Sequence, residues 1–252
     1  MNESAYLRWI ELDKQRFPSE KYPFDLDAVH LIHRLEFHPN VTYLIGDNGV
    51  GKSTLMEAVA VAYGFNPEGG SRNFTFSTRS THSELHEYVR LARGVRKPKD
   101  GFFFRAESYY NLASNIDDLD KEPGTGASII RSYGGKSLHE QSHGESFFST
   151  FIHRFGGNGL YILDEPEAAL SPVRQMAMLT RIHDLVKQQS QFIISTHSPI
   201  LMAYPHSTIY EISKDGLLVK KLEETEHFMI YQEFLNNKAR MIDELFQSNE
   251  RG

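Results

Sequence analysis

Hydrophobic and polar positions along the chain follow two periods. Residues 6–12 (Tyr6-Leu7-Arg8-Trp9-Ile10-Glu11-Leu12) and 31–37 alternate apolar with polar, as half-buried strands do, and a Pro39-Asn40 turn closes the second. Elsewhere the apolar residues run together without alternation: Val41-Thr42-Tyr43-Leu44-Ile45, Phe102-Phe103-Phe104, Leu160-Tyr161-Ile162-Leu163 and Phe192-Ile193-Ile194. Such runs predict strands buried on both faces, as in a parallel sheet. Helical spacing predicts helices over 52–63, 83–93, 108–119, 147–155, 172–187, 226–234 and 239–246. Ser83 is expected to cap the second of these, with Leu85, Val89 and Ala92 on one face, and Ser171-Pro172 opens the fifth. Further strands are expected over 72–79, 208–212 and 217–220. The proline-rich stretch 17–24 reads as a surface loop whose aromatics are expected to cover the core rather than a nucleotide base.

Strand and helix therefore alternate, and the fold class is α/β with a mainly parallel core sheet. An antiparallel β-subdomain is expected at the N-terminus and a helical insertion over about 78–150, within one domain spanning 1–252.

Length and composition narrow the classes. A chain of 252 residues, 40% hydrophobic, can bury a full core. No apolar run reaches membrane-spanning length and the N-terminus lacks a signal-peptide layout, so a cytoplasmic protein without an integral membrane segment is expected. The absence of cysteine excludes disulfides, thiolate zinc sites and cysteine nucleophiles. A net charge of −6 gives no global attraction to nucleic acid, so any such contact needs a local patch. The candidate is Arg90, Arg93, Arg96, Lys97 and Lys99, weighed against an ordinary solvated helix end and loop.

The chemistry starts at Gly46-Asp47-Asn48-Gly49-Val50-Gly51-Lys52-Ser53-Thr54, which fits G-x-x-x-x-G-K-[ST] directly after an apolar strand and at the start of a helix. This is a phosphate-binding loop: its glycines let backbone N–H groups turn around a pyrophosphate, Lys52 reaches the β- and γ-phosphates of a nucleotide, and Ser53 offers its hydroxyl to Mg²⁺. The run 160–163 then delivers Asp164 and Glu165 at a strand end, where α/β sheets bind ligands. Asp164 suits the Mg²⁺ shell. Glu165 can point towards an attacking water as general base.

Taken in order, the phosphate loop, Gln141-Ser142-His143-Gly144-Glu145, Leu163-Asp164-Glu165-Pro166-Glu167 and Ser195-Thr196-His197-Ser198 resemble ATPases of the ATP-binding-cassette superfamily over residues 33–213. The chain looks closest to stand-alone predicted AAA-family ATPases and to the heads of structural-maintenance-of-chromosomes and RecF proteins. The resemblance implies a P-loop NTPase fold of that type. It implies that Ser142, Gly144 and Glu145 form a signature loop contacting the γ-phosphate of ATP held by a second copy, and that His197 senses the γ-phosphate. His143 stands where the family usually has glycine, and Ser171 where transporters usually carry aspartate. The family also places a glutamine at a strand end to touch Mg²⁺. Here Glu107 is the best occupant of that place, against an ordinary strand-end carboxylate, and Arg105 is the other residue that could belong to the site. His139-Glu140-Gln141-Ser142-His143 also fits the zinc-peptidase pattern H-E-x-x-H, but Gly144 directly after it argues against the single helix that pattern needs.

The expected function is Mg²⁺-dependent ATP hydrolysis by an ATP-dependent homodimer, with catalytic work on Lys52, Glu165 and His197. A nucleic-acid-linked role with a DNA or nuclease partner is favoured. An ATP-gated protein-binding module and the ATP-binding subunit of a transporter, with its permease partner, are the alternatives.

Overall fold

The structure, a computed structural model, describes residues 4–18, 20–71, 83–107, 109, 143–214 and 216–249. The strand expected over 72–79, all but Tyr109 of the helix expected over 108–119, and Ser142 lie outside the described residues.

The apolar runs form the middle of a seven-stranded sheet. They are β3 (Val41–Gly46), β6 (Asp100–Arg105), β7 (Gly159–Asp164) and β8 (Gln191–Ser195), joined by β4 (Gly70–Ser71), β9 (Ser207–Ser213) and β10 (Gly216–Lys220). The order across the sheet is β10-β9-β3-β8-β7-β6-β4. The five strands β9, β3, β8, β7 and β6 pair in parallel, and the two edges, β10 and β4, pair antiparallel.

Successive side chains of a strand point to opposite faces, so each run feeds two cores. On one face Tyr43, Phe102, Tyr161, Phe192 and Ile194 pack with α3 (His143–Arg154) and α4 (Pro172–Lys187), through Phe147, Phe151, Phe155, Met178 and Ile182. On the other, Leu44, Phe103, Ile162 and Ile193 pack with α2 (Lys52–Tyr63), through Leu55, Met56 and Val59. Ser171 caps α4 as expected, accepting from Arg174 N, with Pro172 at the first helical position. The C-terminal helices run Glu226–Asn236 and Lys238–Asn249, two residues or more longer than expected, and follow the short helix α5 (Pro199–Met202); we label them α6 and α7. Among the described residues no helix is long and apolar enough to cross a membrane.

A second, three-stranded antiparallel sheet, β2-β1-β5, holds β1 (Leu7–Leu12), β2 (Arg34–Glu36) and β5 (Val89–Arg93). Two expectations are corrected here. The strand drawn over 31–37 shrinks to β2, because Leu31 ends a short helix, α1 (Asp27–Leu31). The helix drawn over 83–93 is a 3-10 turn, Glu84–Tyr88, capped by Ser83, followed by β5. Val89-Arg90-Leu91-Ala92-Arg93 also fits period two, and pairing with β1 wins over the helical reading. The stretch read as a helical insertion thus contains β5 and β6. Of the loop aromatics, Phe17 and Phe24 cover the core, packing ring on ring with Tyr88, with Phe24 and Tyr88 edge to face at 5.3 Å, whereas Tyr22 is exposed.

Gln191 ties the two sheets together. Its fully buried carboxamide accepts from Tyr6 N and Leu7 N, both at 2.9 Å, and donates to Leu7 O at 2.8 Å and His38 O at 3.1 Å. Every hydrogen-bonding position of that side chain is used.

Candidate nucleotide-binding site

Register brings the site together. One row across the sheet runs Leu44, Ser195, Asp164, Arg105 on β3, β8, β7 and β6. The parallel strands therefore end side by side, and the loops that leave them meet at one edge of the sheet.

After β3 comes the phosphate loop. Gly46 has φ 145°, and a Cβ there would sit 2.3 Å from the Ile212 carbonyl oxygen, so the loop leaves the strand through a position open only to glycine. Gly51, in the left-handed region at φ 96°, turns the chain into α2. Asp47, Asn48 and Gly49 form the exposed crest, while Val50 is buried and its carbonyl accepts from Ala28 N at 2.8 Å. Lys52 is only 4% exposed, and its Nζ donates to Gly46 O at 2.7 Å and Asp47 O at 2.9 Å. Burial pulls its pKa below the ordinary lysine value, against Glu165 and Asp164, which favour the cation. Thr54 follows Ser53 inside the helix.

After β7 comes Asp164, 5% exposed. Its Oδ1 accepts from Ser53 Oγ at 3.1 Å and from Ser195 Oγ at 2.5 Å. Burial raises the Asp164 carboxyl above the usual range, outweighing these hydroxyls and Arg105. Among the described residues no three His, Cys, Asp or Glu side chains gather to hold a metal ion. One hydroxyl and one carboxylate oxygen nonetheless suit Mg²⁺, which takes few protein oxygens and completes its shell with phosphate and water. The residues present fit that ion.

Glu165 sits in the left-handed region, φ 49° and ψ 53°, directly before Pro166. A non-glycine residue held there costs on the order of 1–3 kcal/mol, and such strain collects at functional sites. The turn separates the two carboxylates: Asp164 faces Ser53, while Glu165 Oε1 lies 3.5 Å from His197 Nε2. His197 comes after β8, and burial, then the charge of Lys52, hold its pKa below the ordinary imidazole value.

Other expected residues are placed differently. Glu107 is 83% exposed, with its carboxylate 3.4 Å from Arg105, whose guanidinium also pairs with the buried Glu57 of α2. Gly144 and Glu145 open α3, and the Glu145 carboxylate lies 3.4 Å from Arg174 at the start of α4. Of the basic cluster, Arg90 pairs with Asp13, Arg93 donates to Tyr63 O and Arg96 to Gln189.

Three neighbours of the site were given no catalytic or ligand-holding role from sequence. Ser195 holds Asp164; Glu167 Oε1 accepts from His197 N at 2.6 Å, with its carboxyl raised by burial; and His227, in the first turn of α6, contacts His197. Ser195 and Glu167 carried a signal, each lying within a motif that resembles the ATP-binding-cassette pattern, and His227 carried none.

Among curated proteins, the chain is 24% identical over 191 residues to "ABC transporter G family member STR2" of Medicago truncatula, a match covering 69% of this chain and 26% of that protein. The chain thus spans about a quarter of the length of that relative. Three solved structures are also similar. An Smc head bound to the C-winged helix domain of ScpA is 14% identical, covering 76% of this chain and 94% of that one, with a TM-score of 0.42. CbiO1 of Clostridium perfringens, part of the ABC transporter complex cbiONQ, is 15% identical, covering 96% and 99%, at 0.45. A nucleotide-free ATP-binding cassette from an ABC transporter is 16% identical, covering 73% and 81%, at 0.39. A family model described as an AAA domain matches residues 30–251, a span that takes in the whole central sheet with the loop after β3 and Asp164, and the chain belongs to that family of P-loop ATPases.

Proposed function

We propose that the chain binds Mg²⁺·ATP between the phosphate loop and Asp164, hydrolyses it to ADP and phosphate, and closes as a head-to-tail homodimer around the nucleotide. The observation that carries this reading is the meeting of Ser53 and Asp164, 111 residues apart, with Ser195 sharing the same carboxylate oxygen. Mg²⁺ held by these oxygens would neutralise charge on the β- and γ-phosphates. The loop amides and Lys52 bind and orient the phosphates. Glu165 orients a water and accepts its proton, and His197 donates a hydrogen bond to the γ-phosphate as charge develops there. The second copy supplies Ser142 and Gly144 of the signature loop, and so excludes bulk water from the reacting phosphate.

Phosphate release from ATP by the purified chain, with Mg²⁺ and with EDTA, tests the reading. Lys52→Ala should lose nucleotide binding, while Glu165→Gln should keep it and lose about 10² to 10⁴ in turnover. Release no faster from the native chain than from Lys52→Ala overturns the assignment.

The process driven by the cycle is proposed to be nucleic-acid-linked. Glu145 supports this, since at the end of the signature loop it resembles the chromosome-maintenance heads, where transporters usually carry glutamine, and so does the basic stretch 90–99. A transporter subunit is the second reading, favoured by the likeness to a named transporter. Affinity capture on Glu165→Gln with ATP separates them by what is retained: DNA or a nuclease in the first case, a permease in the second.

A further inference from the structure

His197 and His227 meet ring to ring. His197 Nδ1 lies 2.9 Å from His227 Nε2, with the ring centroids 5.1 Å apart and the planes at 53°. The second ring arrives on α6, whose start is anchored: Thr225 is fully buried, donates to Leu222 O at 2.7 Å and caps the helix by accepting from Phe228 N. Leu222 packs against the core beneath. The contact is therefore built by the fold rather than by two neighbouring residues.

Two neutral imidazoles joined by one hydrogen bond place one proton in that bond, and the choice fixes both outer nitrogens. Suppose His197 Nδ1 donated. Its Nε2 would then present a lone pair to the Glu165 carboxylate at 3.5 Å, and His227 would carry its proton on Nδ1. That nitrogen is buried, with no hydrogen-bond partner among the described residues. The arrangement combines a lone pair facing a carboxylate with a buried orphan donor, and both are unfavourable. If His227 Nε2 donates instead, His197 carries N–H at Nε2, which is likewise buried without a hydrogen-bond partner but faces the opposite charge of the Glu165 carboxylate at 3.5 Å, and the orphan at His227 Nδ1 is only an acceptor. Burial and the Lys52 charge hold the His197 pKa below the ordinary imidazole value, which favours its neutral form and so one proton shared between these two arrangements.

We infer that His227 is a positioning residue of the nucleotide site: by donating from Nε2 to His197 Nδ1 it holds His197 as the Nε2–H tautomer, the neutral form that presents a hydrogen-bond donor beside Glu165. The inference rests on the reading of His197 as the residue that meets the γ-phosphate. It makes α6, the first of the two C-terminal helices, part of the nucleotide site, although the loop motifs all lie upstream of it.

The test has two readouts. Long-range ¹H–¹⁵N correlation of the imidazoles in ¹⁵N-labelled protein, without nucleotide, reports the His197 tautomer directly. The native chain should show Nε2 protonated and Nδ1 as acceptor. In His227→Gln the carboxamide N–H can replace the donor, and both the tautomer and the turnover should stay near native. In His227→Glu, an acceptor-only group, the proton should move to His197 Nδ1 and turnover should fall by about tenfold or more, with ATP affinity unchanged. His227→Leu should fall likewise, with mixed tautomers. A native His197 protonated at Nδ1, or His227→Leu with native turnover and tautomer, overturns the inference. Lack of hydrolysis by the native chain would instead sink the ATPase reading and leave the tautomer measurement intact.

Discussion

Ser195 Oγ donates to Asp164 Oδ1 at 2.5 Å and accepts from Glu165 N at 3.2 Å. One buried hydroxyl at the end of β8 thus holds both acidic residues at the end of β7. The Ser195 carbonyl accepts from Glu165 N as well, at 3.1 Å, so the strand ends stay joined when the hydroxyl is removed.

Ser195→Ala should therefore fold with little loss, about 1 kcal/mol for the missing hydrogen bond. It should free the Asp164 carboxylate to rotate and raise the Mg²⁺ concentration needed for half-maximal turnover severalfold. Magnesium titration of ATPase activity measures this; an unchanged titration would remove Ser195 from the site.

Asp164→Asn should trade function for stability. Unfolded, an aspartate titrates near about pH 4, and burial raises Asp164 in the fold. The native state therefore favours the protonated carboxyl: that stabilisation is whole below about pH 4 and is lost as pH climbs through the raised folded value. At pH 7 the ionised Asp164 is a net cost to the nucleotide-free chain. The amide, which keeps an oxygen for Ser53 and Ser195, should raise Tm at pH 7, with a gain that shrinks as pH approaches 4, and should abolish Mg²⁺-dependent turnover. Thermal melts at both ends of that range check the sign, and a lower Tm at pH 7 would contradict it.

Assembly is tested by light scattering. Glu165→Gln should double its mass on adding Mg²⁺·ATP, because ATP binds the closed state better and blocked hydrolysis traps it. Ser142→Arg should prevent the doubling while nucleotide binding persists. A mass of one chain under saturating nucleotide would exclude the head-to-tail dimer.

Gln191→Leu should be among the most damaging core changes. It leaves Tyr6 N, Leu7 N, Leu7 O and His38 O without the carboxamide that joins the two sheets. Unsatisfied buried groups cost about 1–3 kcal/mol each, and a total loss of roughly 3–5 kcal/mol is expected in urea unfolding. A loss below about 1 kcal/mol would mean that the sheets do not depend on this residue.

The phosphate loop, the buried strands and the Ser171-Pro172 start of α4 were legible because their causes are local. Glycines at Gly46 and Gly51 permit a backbone path, a run of apolar residues marks a strand covered on both sides, and a serine before a proline caps a helix. Asp164 and Glu165 were legible for the same reason, as two carboxylates at the end of such a run. The resemblance to ATP-binding-cassette ATPases drawn from these motifs and the AAA-domain match point to the same class of protein.

Tertiary structure decided the rest. Val89–Arg93 became a strand because β1, about eighty residues upstream, offered a free edge. Glu107 carried the right chemistry at a strand end, and its carboxylate lies in solvent against Arg105, which also pairs with Glu57 on α2. Ser195, Gln191 and His227 have their roles only through partners 31, 184 and 30 residues away, respectively. By itself the sequence determined which backbone paths and which chemistry each segment could offer, because steric limits and burial patterns act between neighbours. Only the folded sheet decided which offers met, because register and strand order bring together residues that no local pattern relates.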